Sequence, residues 1–171
     1  MSTEYKCIPF ELDYYESAPQ QFIYERILEC SPDELFDIFE DEHSWPVWGT
    51  GIAKVDWTSP KPIKLALHVL SRSKEAGMEV YETFIAWERG KHMAFCFTGT
   101  TQEVWTSFGE NYLVKDLGDG KCHLTWTVAY TPCSVFKMIH PLVKPMMKFW
   151  LGMLANNLGK YVKRKKLAGN A

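Results

Sequence analysis

The sequence predicts an α+β domain: a strongly curved antiparallel sheet of about six or seven strands around a long C-terminal helix, with two short helices after strand one. Three observations carry this expectation. Strand-like segments follow one another from residue 52 to 131 with short connections, which indicates antiparallel pairing rather than alternating strand–helix units. The stretch from 134 to about 165 is the one long helical segment, and it is amphipathic. One such helix cannot cover a flat sheet of that size, so the sheet must bend around it and leave a space between the two.

Each element has its own local cause. Gln21–Cys30 alternates β-branched and aromatic residues with charges and reads as the first strand. Ser31-Pro32-Asp33-Glu34 then starts a helix, with Ser31 as N-cap, Pro32 at the first helical position and Glu34 completing a capping box. That helix buries Leu35, Phe36 and Phe39 and ends near Asp41. His43–Trp48 forms a turn or second short helix that inserts two indoles. Strands are expected at 52–58, 64–72, 78–88, 91–98, 103–117 and 121–131. Arg89-Gly90 and Gly118-Asp119-Gly120 provide tight connections. On the final helix, Ile139, Leu142, Met146, Trp150, Met153, Asn157 and Tyr161 share one side at 100° per residue, and Lys137, Lys144, Lys148, Ala155, Gly159, Lys163 and Lys166 share the other. Pro141 and Pro145 either start this helix or kink it. The expected division is an arm over 1–19, one domain over 20–166 and a flexible tail over 167–171.

Composition narrows the function classes. The 171 residues suit a single hydrophobic core. Seven Trp, eight Tyr and ten Phe amount to 15% of the chain and predict a core or cavity lined by rings. The net charge of −2 argues against a polyanion binder. Yet residues 121–171 hold nine Lys/Arg and no acid. Five Cys at 7, 30, 96, 122 and 133, with no CxxC, indicate reduced and mostly buried thiols, hence a cytoplasmic setting. No signal-peptide pattern or membrane-length apolar run is read. His43, His68, His92, His123 and His140 show no metal-ligand spacing, and no nucleophile elbow occurs, so no metal site and no cofactor is expected. Gly49-Thr-Gly51 is half of a dinucleotide fingerprint and reads as a turn.

Three pieces of text carry a family resemblance: Leu28-Glu-Cys-Ser-Pro-Asp-Glu-Leu-Phe-Asp-Ile-Phe39, Trp45-Pro-Val-Trp48 and Val55-Asp-Trp57. Gly120–Trp126 and the amphipathic tail follow in the right order. Over roughly residues 20–165 the chain resembles the START-like, or SRPBCC, helix-grip superfamily, in its polyketide cyclase/dehydrase branch. The resemblance implies an internal cavity for an apolar or aromatic molecule. Its motifs are structural, so they speak to fold before activity.

The candidate ligand-cavity residues are Tyr24, Arg26, Trp48, Glu82, Glu110, Tyr112, Trp126, Tyr130, Met146, Trp150 and Asn157. Glu82 and Glu110 sit on ring-bearing strand faces, where desolvation raises a carboxyl pKa and suits it to proton transfer. Arg26 shares a face with Phe22, Tyr24 and Leu28; turned inward, it would clamp an enolate or carboxylate. The leading expectation is a binder of a lipid- or polyketide-like molecule. One alternative is a cyclase or dehydratase working through Glu82, Glu110 and Arg26. Another is a membrane-surface lipid carrier, with weak anionic contact through Lys160, Lys163, Arg164, Lys165 and Lys166. No nucleic-acid partner is expected.

Overall fold

A computed structural model describes residues 4–58, 68–73 and 77–169, of which 68–73 are described as backbone. In chain order the elements are β1 (Tyr5–Lys6), α1 (Tyr14–Ser17), β2 (Gln20–Leu28), α2 (Pro32–Glu40), α3 (Trp45–Trp48), β3 (Ile52–Trp57), β4 (His68–Ser73), β5 (Glu79–Glu88), β6 (His92–Thr100), β7 (Trp105–Gly118), β8 (Lys121–Pro132) and α4 (Ser134–Gly169). All strand pairs are antiparallel, in the order β2-β8-β7-β6-β5-β4-β3, with β1 added on β6. The expected strand over 64–72 lies partly outside the described residues.

The capping box forms as the sequence dictates: Glu34 N–H donates to Ser31 Oγ at 3.3 Å, and Ser31 N–H donates to Glu34 Oε2 at 2.7 Å. Together these satisfy two otherwise orphaned donors. Helix α2 buries Leu35, Phe36, Ile38 and Phe39. Ser44 Oγ then donates to Ile38 O and Trp45 Nε1 to Phe39 O at 2.9 Å, which fixes α3 against the end of α2.

Bulges bend the sheet. In β5–β6 the register slips between Tyr81 and Glu82 and again between Phe84 and Ala86. The second slip changes the parity of β5. Phe84 and Trp87 both pack with the inner core, whereas Ile85 and Ala86 pack on the outer face.

That outer face is where the N-terminal arm lies. Strands β6 and β7 pair only over His92–Cys96 and Gly109–Leu113. Beyond this the arm joins them: Cys7 N–H donates to Thr98 O at 3.0 Å and Ile8 N–H to Thr106 O at 2.8 Å. Tyr15 is buried on a seat of small residues, Ala86, Ala94 and Ala129. Its hydroxyl lies 2.8 Å from Phe95 O and 3.0 Å from Glu110 O.

Helix α4 runs unbroken through Pro141 and Pro145. The carbonyl that Pro141 leaves without a helical donor belongs to Lys137, on an exposed turn where water can serve it. The buried stripe is Leu151, Leu154, Ala155, Leu158 and Val162, a 3.6-residue pattern rotated from the expected one. Ile139, Leu142 and Met146, expected to face the core, are exposed; Ala155, expected outside, is buried. The helix continues to Gly169.

Candidate functional site

Between the bent sheet and α4 lies a cavity of about 250 Å³. Alternation along the strands aims its wall residues. Strand β7 sends Phe108, Glu110 and Tyr112 inward, β6 sends Phe95 and Phe97, and β5 sends Val80, Glu82 and Phe84. Helix α3 closes one side with Trp45 and Trp48, and β3 adds Val55 and Trp57. Helix α4 forms the roof with Met147, Trp150, Leu151 and Leu154.

Of the sequence-derived candidates, Trp48, Glu82, Glu110, Tyr112, Trp126 and Trp150 lie in this wall. The other five lie elsewhere, for reasons the packing makes plain. Strand β2 is an edge strand covered directly by α4, so its inner face meets helix and not cavity. Tyr24 donates its hydroxyl to Lys148 O at 2.7 Å. Arg26 donates through Nε and Nη2 to Asn156 Oδ1, at 3.1 and 2.9 Å, and through Nη1 to Glu25 O at 2.7 Å. Its guanidinium is therefore committed at the rim, which separates it from Glu82 and Glu110. Gly152 permits this close approach, because a Cβ there would stand 3.3 Å from Tyr24 Cε1.

Tyr130 is fully buried behind the wall, its hydroxyl 2.8 Å from His140 Nε2. Met146 is 65% exposed, and its neighbour Met147 takes the wall position one residue further round the helix. Asn157 donates through Nδ2 to Thr50 Oγ1 at 3.0 Å, which ties α4 to the turn before β3. Sequence reasoning passed over Phe84, Phe95, Phe97, Phe108, Met147, Leu151 and Leu154 as wall residues. The i, i+4, i+7 spacing of Met147, Leu151 and Leu154 was the available signal for the roof.

The polar content of the wall is small and acidic. Glu110 Oε2 accepts from the Tyr112 hydroxyl, two residues along the same strand face, and from Trp126 Nε1 at 3.0 Å. Burial pushes the Glu110 carboxyl up to about 7, and these two donors hold it from rising further. Glu82 is half-buried and lines the cavity. Burial and then the nearby Glu110 charge raise it well above the ordinary carboxylate range. No hydrogen-bond donor reaches Glu82 among the described residues, and no Lys, Arg or His lines the cavity among them. Chemically, the pair can hold or release a proton near neutral pH inside an apolar chamber.

Among the described residues no group of three or more His, Cys, Asp or Glu is placed to hold a metal ion. All five cysteines are buried thiols, and Cys30 adjoins Cys122 in the main core. No described helix is long and apolar enough to cross a membrane.

Comparison with known proteins agrees with this geometry. Residues 19–163 match the family model described as polyketide cyclase / dehydrase and lipid transport. Uncharacterized proteins of Mycobacterium tuberculosis and Mycobacterium bovis are 32% identical over 157 residues, covering 92% of this chain and 93% of theirs. Among solved structures, a conserved protein of Geobacillus kaustophilus superposes with a TM-score of 0.69 at 8% identity, over 85% of this chain and 96% of its own. A START superfamily protein of Mycobacterium smegmatis gives 0.64 at 12% identity, over 85% and 95%. At such identities these likenesses speak to the fold alone.

Proposed function

The chain belongs to the polyketide cyclase / dehydrase and lipid transport family, a branch of the START-like helix-grip superfamily, and on that premise we propose that it binds a small apolar or aromatic molecule in the cavity between sheet and α4. The observation that carries this reading is the wall itself: a chamber of about 250 Å³ built from rings and aliphatic side chains, with one pair of carboxyl groups set into it among the described residues. Apolar ligand surface transferred into it is stabilised by about 25 cal/mol per Å². The few polar groups orient the guest.

Native mass spectrometry of the purified protein, followed by extraction and identification of any retained molecule, tests this reading. The expected result is a mass adduct that disappears in Val80→Phe, whose larger side chain occupies the chamber. Adduct retention in a folded Val80→Phe protein would place the ligand elsewhere.

A second observation favours a surface mode of action. The first half of α4 presents Val135, Met138, Leu142, Met146 and Phe149 to solvent, with Met138 and Leu142 each 83% exposed. Lys137, Lys144 and Lys148 lie along the same half. Trp150 joins this ridge to the cavity roof. Apolar side chains interleaved with cations suit insertion into the interface of an anionic bilayer, where each Lys contributes on the order of 1 kcal/mol. The basic cluster at 160–166 lies farther along the helix, with Lys163 3.7 Å from Glu29. Co-sedimentation with phosphatidylserine vesicles is expected, and Leu142→Ser together with Phe149→Ser should abolish it. A concentration-dependent dimer without vesicle binding would assign the ridge to a second copy.

A further inference from the structure

We propose that the guest is a hydrophobic amine, with its ammonium group between Glu82 and Glu110 and its hydrocarbon or aromatic body among the surrounding rings. This rests on the cavity reading above and adds the chemical class of the ligand.

The inference starts from the sign of the charges. Every ionisable carboxyl or basic side chain in the wall is an acid: Glu82 and Glu110, with no Lys, Arg or His beside them among the described residues. A chamber that served only to hold hydrocarbon would be better off without either, because a desolvated polar group without a partner is costly. Glu82 is half-buried, faces the cavity and receives no hydrogen bond among the described residues, so its carboxyl is open to a guest. Glu110 is half-satisfied. Both of its protein donors converge on Oε2, and Oε1 accepts nothing among the described residues. Together the pair offers acceptor capacity that the protein does not use.

An ammonium group fits that deficit. It brings three donors and a positive charge to two acids whose burial and proximity disfavour ionisation. Trp48, Trp57, Tyr112 and Trp126 line the same cavity, and aromatic walls are favourable surroundings for an organic cation where water is excluded. A carboxylate or phosphate ligand would instead add a negative charge with no cation among the described wall residues to meet it. A neutral alcohol or ketone makes one or two hydrogen bonds and brings no charge to offset the cost of ionising either acid.

Binding of this kind moves protons in a defined direction. With the chamber empty, burial leaves Glu110 partly protonated near neutral pH and shifts Glu82 in the same direction. The amine enters as its ammonium form, a carboxyl group releases its proton to solvent, and the resulting carboxylate pairs with the cation. No covalent bond forms. Affinity therefore rises with pH through the titration of the pair and falls only when the free amine itself deprotonates.

The test titrates the full chain with n-octylamine, 1-octanol and octanoate at about pH 6 and about pH 8, by calorimetry in buffers of differing ionisation enthalpy. The amine is expected to bind at least about tenfold more tightly than the other two at the higher pH. It should release protons and weaken at the lower pH. In E82Q/E110Q the preference for amine over alcohol should vanish while 1-octanol still binds. The wild-type series stands by itself if that variant does not fold. Equal or tighter binding of 1-octanol or octanoate by the wild type would overturn the amine proposal and leave the cavity reading standing. Failure of all three probes to bind would overturn both.

Discussion

Trp126 donates its indole N–H to Glu110 Oε2 at 3.0 Å, across two neighbouring strands and at the edge of an apolar chamber. The contact stabilises the ionised carboxylate, but burial outweighs it and leaves the group at about 7. The consequence for stability has a definite sign. Below about pH 4.5 the carboxyl is protonated in both folded and unfolded chains and contributes nothing. As pH rises from there to about 7, the unfolded chain ionises first, so folding becomes less favourable by about 3 kcal/mol in all. Glu82 acts in the same direction. Chemical denaturation of the wild type relative to E82Q/E110Q should show the difference growing from about pH 5 to about pH 8. A constant difference would mean that neither carboxyl is desolvated.

Gly109 is one point where the arm and the sheet touch closely. A Cβ at this position would stand 2.6 Å from Phe95 O, 2.6 Å from Phe10 Cζ and 2.8 Å from the Tyr15 hydroxyl. The contact with the Phe95 carbonyl can be relieved only by a shift of the β6–β7 backbone, and those with Phe10 and Tyr15 only by a shift of the arm, so both must give. Gly109→Ala should destabilise the fold by about 1–3 kcal/mol, measured by urea unfolding, and should expose the arm to limited proteolysis. Tyr15→Phe tests the same seat more gently. It leaves two carbonyls without their shared donor, and about 1 kcal/mol is expected.

The sequence made the order of elements legible because each carries a local signal. Ser31-Pro32-Asp33-Glu34 announces a helix start wherever it stands, and short turns between strand-like runs impose antiparallel pairing. The inward aim of Glu110 and Tyr112 followed from the two-residue period of β7. The aim of Arg26 did not follow. Periodicity places it on the inner face, but only the path of α4 decides that this face meets a helix. The parity change in β5 was equally hidden, since a bulge between Phe84 and Ala86 leaves no mark in composition. The seat of Tyr15 depends on three alanines distant in sequence, and no local pattern connects them.

The N-cap of α2 gives a local and quantitative test. Ser31 Oγ and the Glu34 carboxylate each accept a backbone N–H at the helix start. Ser31→Ala removes one acceptor and frees Glu34 to fray, at a cost of about 1 kcal/mol in unfolding free energy. The same interactions hold Glu34 below the ordinary carboxylate range, chiefly through the bond from the Ser31 backbone. Nuclear magnetic resonance titration should find the Glu34 pKa closer to that of a free glutamate in Ser31→Ala, and an unchanged value would mean that the box does not persist in solution.

Helix α4 carries apolar residues on two stripes, and only one of them is covered. The stripe through Ile139, Leu142, Met146 and Trp150 and the one through Met147, Leu151, Leu154 and Leu158 both advance in steps of three and four, so period alone cannot rank them. Packing does, because Leu151 is 3% exposed and Met146 is 65% exposed. Leu151→Ala should therefore cost about 2–5 kcal/mol, the range for emptying a buried leucine site, with the lower end expected because the chamber beside it already lacks atoms. Met146→Ala removes little buried surface and should change stability by less than about 0.5 kcal/mol. Thermal denaturation of the two variants side by side decides the rotation of the helix. Equal losses would require α4 to sit about one residue round from the orientation described, which would carry Met147 out of the cavity wall and Met146 into it.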